Sequence, residues 1–173
     1  MSAADEALRD AARPERAVEA IGDLIGTEVA FGPVTAGPGG MATATATGRV
    51  GRITARSTAP DRVALTAPVH LDLVVTIGRS DVPVDARLEV RIALHACLAP
   101  DESAVVVEVA ELGPADIDVS TKARGVGGVL VRRLGDLDNE IRHHVIRWVT
   151  DLLQTPEAID ARHIPVEDEA ETA

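Results

Sequence analysis

From Val63 to Ile77, and again from Val82 to Leu98, every second residue is apolar. Val63, Leu65, Ala67, Val69, Leu71, Leu73, Val75 and Ile77 make the first row. Val82, Val84, Ala86, Leu88, Val90, Ile92, Leu94, Ala96 and Leu98 make the second. Between them stand Thr66, His70, Asp72, Thr76, Asp85, Arg87, Glu89, Arg91 and His95. A period of two belongs to extended chain with one dry and one wet face. At about 3.3 Å per residue each run spans roughly 50 Å, far beyond the usual five or six residues. The short polar stretch Gly78-Arg79-Ser80-Asp81 joins them, which predicts an antiparallel hairpin of unusual length.

Strand character continues on both sides. From Ala42 to Arg56, Thr43, Thr45 and Thr47 alternate with Ala, and the register slips between Val50 and Ile53 around Gly51, as at a bulge or sharp bend. After a turn at Ala99-Pro100-Asp101-Glu102, Val105, Val107 and Val109 read as a strand. Beyond Gly113-Pro114, Ile117 and Val119 suggest a short one. The middle of the chain is thus a meander of about five strands.

Helical spacing appears at the two ends. Residues 1–13 are polar and Ala-rich and are expected to fray. Pro14 suits a first helical position, and Ala17, Val18, Ile21, Leu24 and Ile25 follow at helical spacing until Gly26. Gly32-Pro33 to Gly39-Gly40 reads as a loop. Past Gly125, Gly127 and Gly128, the residues Leu130, Leu134, Leu137, Ile141, Val145, Trp148 and Leu152 recur every three or four, with Arg132, Arg133, Asp136, Asp138, Glu140 and Arg142 on the opposite side. That helix runs to about Leu153, roughly 36 Å at 1.5 Å per residue, with Gly135 a point where it can bend. Pro156 marks its stop. An extended piece, His163-Ile164-Pro165-Val166, precedes an acidic tail. The expected fold is α+β: one domain over residues 14–166, flexible at 1–13 and 167–173. In it a long, curved antiparallel meander sheet wraps around the long C-terminal helix and a short N-terminal one.

Composition narrows the function. The apolar fraction is 46%, almost all Ala, Val, Leu and Ile, and Phe31 and Trp148 are the only aromatics. Single-stranded nucleic acid is usually held on stacked aromatics in a basic groove, whereas this chain carries a net charge of −11. Its field repels phosphate backbones and anionic membrane surfaces alike, so neither is an expected partner. Met1-Ser2-Ala3-Ala4-Asp5-Glu6 offers no basic region and no apolar run after it, and no stretch approaches the ~20 apolar residues of a transmembrane span. With Cys97 as its single cysteine the chain fits a reducing, cytoplasmic setting.

The order of short helix, long strands, long amphipathic helix and extended end resembles the tubular lipid-binding (TULIP) superfamily, including its synaptotagmin-like mitochondrial lipid-binding domains. The resemblance covers residues 14–166 and rests on element order and strand length. It implies a curved sheet around helices with an apolar tunnel between. A helix-grip fold of the START-like type is the alternative. It too clasps a long C-terminal helix, but opens with a strand that residues 1–13 do not provide.

Polar candidates are few. His143 and His144 are adjacent on a helix and point about 100° apart, so one metal cannot bridge them. His95 and Cys97 share a strand face near Arg91, yet without a third partner the cysteine reads as passive. Asp116 and Asp118 flank Ile117 as a conceivable acid pair, although carboxylates beside Gly113-Pro114 suit a turn. Arg132 with Asp136, and Asp138 with Arg142, are surface pairs, and Gly125-Val126-Gly127-Gly128 lacks the Gly-Lys-Ser/Thr ending of a phosphate cradle. No His, Cys or carboxylate set has ligand spacing, so neither a metal nor another cofactor is expected.

The expectation that remains is non-enzymatic binding of a lipid-like apolar ligand between sheet and helix. Leu71, Leu73, Val90, Ile92, Leu134, Leu137 and Ile141 are its lining. Two alternatives stand beside it: a cyclase or isomerase using His70, His95 or Asp118 in the same cavity, and an interaction protein with a solid core. A long open sheet edge also favours a homodimer.

Overall fold

The long hairpin organises everything else. A computed structural model describes residues 2–36, 38–124 and 137–167. In chain order come helices α1 (Ala3–Ala11) and α2 (Pro14–Ile25) and strands β1 (Glu28–Ala36), β2 (Ala42–Val50), β3 (Thr54–Ala59), β4 (Arg62–Ile77), β5 (Ser80–Leu98), β6 (Ala104–Val109) and β7 (Ile117–Ala123). Helices α3 (Leu137–Leu153) and α4 (Pro156–Ala161) and strand β8 (His163–Pro165) follow. β4 and β5 pair without interruption from Arg62 opposite His95 to Ile77 opposite Ser80. Their apolar row is buried along its whole middle, and Leu71, Val75, Val84 and Ala86 have no exposed surface at all.

Shorter strands hang from both edges of this hairpin. β2 and β3 share the edge of β4 end to end, and β7 and β6 share that of β5; β1 adds to β2 and β8 to β6. The result is a curled antiparallel half-barrel of eight strands among the described residues. It is a spine with branches, where the sequence suggests a simple meander.

The changeover from β2 to β3 is encoded on both strands. Val50 is the last partner of Val69 and Thr54 the first partner of Thr66, which leaves Pro68 facing the gap. Pro68 has no N–H to offer a neighbour there, and its carbonyl accepts from Gly51 N at 2.7 Å. The expected break at Gly51 is therefore present, with Pro68 as its second cause.

α2 begins at Pro14 and ends at Gly26 (φ 71°), as the sequence suggests. Three elements differ from the reading. Ala3–Ala11 form a helix where a frayed end is expected: Ser2 Oγ accepts from Asp5 N at 3.1 Å, the Asp5 carboxylate accepts from Ser2 N at 3.3 Å, and Ala11 and Ala12 are buried. Of the expected loop, Gly32 to Ala36 belongs to β1, whose pairing with β2 breaks between Phe31 and Val34 at the cis Gly32–Pro33 bond, and Pro38–Gly40 is a short 3₁₀ turn. Pro156 does not merely end α3. It is the first residue of α4, with Thr155 Oγ1 capping Ala158 N at 3.3 Å.

α3 buries Leu137, Ile141, Val145, Val149 and Leu153, a row at every fourth position, while Trp148 lies half-buried beside it. Leu130, Leu134, the glycines at 125, 127, 128 and 135, Arg132, Arg133 and Asp136 lie outside the described residues. Among those described, no helix is long and apolar enough to cross a membrane.

Candidate functional site

The apolar face of the half-barrel comes first, because the expected ligand contacts lie on it. Leu71 and Leu73 on β4, Val90 and Ile92 on β5, and Leu137 and Ile141 on α3 all belong to one buried apolar cluster. Leu134 lies outside the described residues. Register explains the grouping: Leu71 faces Ala86 and Gly48, Leu73 faces Val84 and Ala46, and Val90 faces Ala67 and Ile117. Small residues recur across these rows, with Ala42, Ala44, Ala46, Ala67, Ala86 and Ala96 all buried.

α3 touches strands at both flanks of the sheet. On one side Thr121 Oγ1 of β7 donates to Asp138 at 2.6 Å, and Arg142 Nε donates to the Ile117 carbonyl at 2.9 Å. On the other side Phe31 of β1 stacks on His144, with ring centroids 5.9 Å apart and planes 21° from parallel. Sequence spacing suggested solvent for both histidines, whereas His144 is half-buried. Burial, with Arg147 nearby, holds its imidazole below the ordinary value.

The polar candidates occupy the opposite face. His70 points outward and lies 3.9 Å from Asp85. His95 Nε2 sits 2.9 Å from Asp61, whose carboxyl is held low by that hydrogen bond. Asp118 is exposed and paired with Arg91 at 2.6 Å, and the pairing lowers its carboxyl as well. Asp116 does turn duty, accepting from Gly113 N at 2.8 Å. Cys97 Sγ donates to the Val106 carbonyl at 3.4 Å, and burial followed by the Glu108 charge pushes its thiol up, away from the thiolate a nucleophile needs. None of the three proposed acid–base residues faces the apolar side.

No family model matches this chain, and no curated protein matches it either.

Two features escape local sequence patterns. Asp72 and Asp85 stand opposite each other across the hairpin, and with His70 they bring one ligand atom each to within 4.8 Å of one another. Three donors are one short of a closed tetrahedral shell. The Arg124 guanidinium, 3.3 Å from Asp85 and 3.6 Å from Asp72, already pairs with both carboxylates and offsets half of their charge. The spacing expectation missed this set because it forms across strands. The second feature is an apolar cavity of about 60 Å³ where α2, β5, β6, β8 and the last residue of α3 meet, with Arg16 and Arg162 in its wall.

Proposed function

We propose that this protein binds a lipid-like aliphatic molecule without chemically changing it, along the apolar face of the half-barrel and against α3. The carrying observation is the reach of α3 to both flanks of the sheet. β1 and β7 are separated by β2, β4 and β5, four steps of about 4.8 Å, or roughly 19 Å if the sheet were flat. A helix is about 10–12 Å across, so contacts from Phe31 and from Ile117 on one helix are favoured by a sheet that curls toward it. At about 100° per residue Arg142 and His144 point roughly 160° apart, as they must to meet opposite walls. Such curvature supports the arrangement read from the sequence, a sheet wrapped lengthwise around its C-terminal helix in the manner of tubular lipid-binding domains.

The lining chemistry supports an aliphatic guest. Its rows are Ala, Val, Leu and Ile, with small side chains such as Ala46, Ala67 and Ala86 among them. An enzymatic use of the same space is disfavoured by the outward placement of His70, His95 and Asp118. The test is saturable binding of a fluorescent long-chain lipid analogue. Leu137→Trp should weaken it at least tenfold while the protein stays folded. Equal binding by wild type and Leu137→Trp would place the lipid elsewhere and refute the reading.

A further inference from the structure

We infer a metal site on the outer face of the hairpin: His70, Asp72 and Asp85 bind a zinc ion through one imidazole nitrogen and two carboxylates, with a fourth position left to water. The site lies on the face opposite the proposed lipid surface and does not depend on it.

The placement follows from the register. Asp72 on β4 stands directly opposite Asp85 on β5, and His70, two residues before Asp72, shares its face. His70 Nε2 lies 3.9 Å from Asp85 Oδ1, and one ligand atom from each of the three side chains falls within 4.8 Å of the others. Donors around a tetrahedral zinc at about 2.0–2.2 Å stand about 3.4 Å apart, so side-chain rotations that move each atom by about 1 Å close the set. The backbone beneath has no need to move, because β4 and β5 pair without interruption through these positions.

Electrostatics favour a cation here. Like charges directly opposite on neighbouring strands are destabilising, and these two carboxylates face each other in a chain of net charge −11. Arg124, just past β7, now spans them at 3.3 and 3.6 Å. That pairing is an exposed one, with the Arg124 side chain 53% and the Asp72 side chain 60% accessible, and exposed ion pairs hold weakly. Zinc brings two charges to a shorter distance and can take the carboxylates from the guanidinium.

The donors select the ion. Imidazole suits zinc and its transition-metal neighbours, whereas calcium and magnesium want a fuller oxygen shell and gain little from a nitrogen. His95 is the contrasting case. Asp61 lies on its Nε2 and Glu108 on its Nδ1, so the two carboxylates cannot share one ion with either ring nitrogen.

The experiment is an NMR titration of the full chain, without a histidine tag, with zinc chloride and separately with calcium chloride at equal ionic strength. Expected are saturable one-to-one amide shifts centred on His70, Asp72 and Asp85, absent with calcium. His70→Ala and Asp85→Asn should each weaken zinc binding at least tenfold, while His95→Ala should leave it unchanged. Arg124→Gln removes the competing cation and should tighten binding several-fold. The absence of saturable shifts, calcium binding as well as zinc, zinc binding undiminished by His70→Ala or Asp85→Asn, or no gain in Arg124→Gln would each overturn the inference. Lipid retention is read on the other face, so failure here leaves that reading untouched.

Discussion

Gly48 lies so close to His70 on the neighbouring strand that a Cβ built on it would stand 2.0 Å from the His70 carbonyl oxygen and 2.8 Å from Leu71 Cδ2. Leu71, its register partner, leans across the space that the glycine leaves. β2 can pair with β4 at this point only if the position has no side chain. Gly48→Ala should therefore destabilise the fold by about 3 kcal/mol, the upper end of overpacking costs. Chemical denaturation measures it, and a change under about 0.5 kcal/mol, as at an indifferent surface position, would contradict the packing described.

The burial of His144 makes stability depend on pH. The folded imidazole is held below its ordinary value, so between that lowered value and about 6.5 the unfolded chain binds more protons than the folded one. Stability from this group is complete above pH ~6.5 and is lost as pH falls through the folded value. His144→Phe keeps an aromatic ring and removes the titration. Its unfolding midpoint should gain on that of the wild type as pH drops from about 7 to 5. Parallel curves would show that His144 is not the titrating group.

Cys97 should be a slow nucleophile. Its raised thiol pKa comes first from burial and then from Glu108, and its S–H is directed to the Val106 carbonyl. Alkylation near pH 8 should run several-fold slower than for an unstructured cysteine peptide. Glu108→Gln should accelerate it. A rate above the peptide's would mean an activated thiolate and reopen an enzymatic reading.

What the sequence disclosed follows physical lines. β4 and β5 are legible because one dry and one wet face impose an unbroken period of two. β1 is not, because Gly32-Pro33 interrupts its alternation where its pairing also breaks. α4 was hidden by reading Pro156 as a stop, although proline is equally at home in a first turn behind a capping Thr155. α1 was hidden because its Ser2–Asp5 capping box is short and its apolar face is mostly alanine. The inner rows at Leu71, Leu73, Val90 and Ile92 could be named from alternation alone, since burial follows the pleat. The Arg162 cavity could not, because elements far apart in the chain enclose it. The facing of Asp72 and Asp85 becomes legible once the turn sets Ile77 opposite Ser80.

Leu71 and Val74, three residues apart on β4, separate the two faces energetically. Leu71 has no exposed surface, whereas Val74 is 43% exposed. Leu71→Ala should cost about 2–5 kcal/mol, and Val74→Ala should stay within about 0.5 kcal/mol. Similar losses at both would mean that the outer face is buried as well and contradict the two-faced sheet.

The most direct test of lipid binding is native mass spectrometry of freshly purified protein, followed by solvent extraction of the same sample. The expected result is a bound species heavier than the bare chain by the mass of one aliphatic lipid. Extraction should release it, and Leu137→Trp should lose it with little change in unfolding midpoint. A wild-type protein with no co-purifying lipid, together with a sharply lowered midpoint for Leu137→Trp, would contradict the account and mark the interior as a solid core.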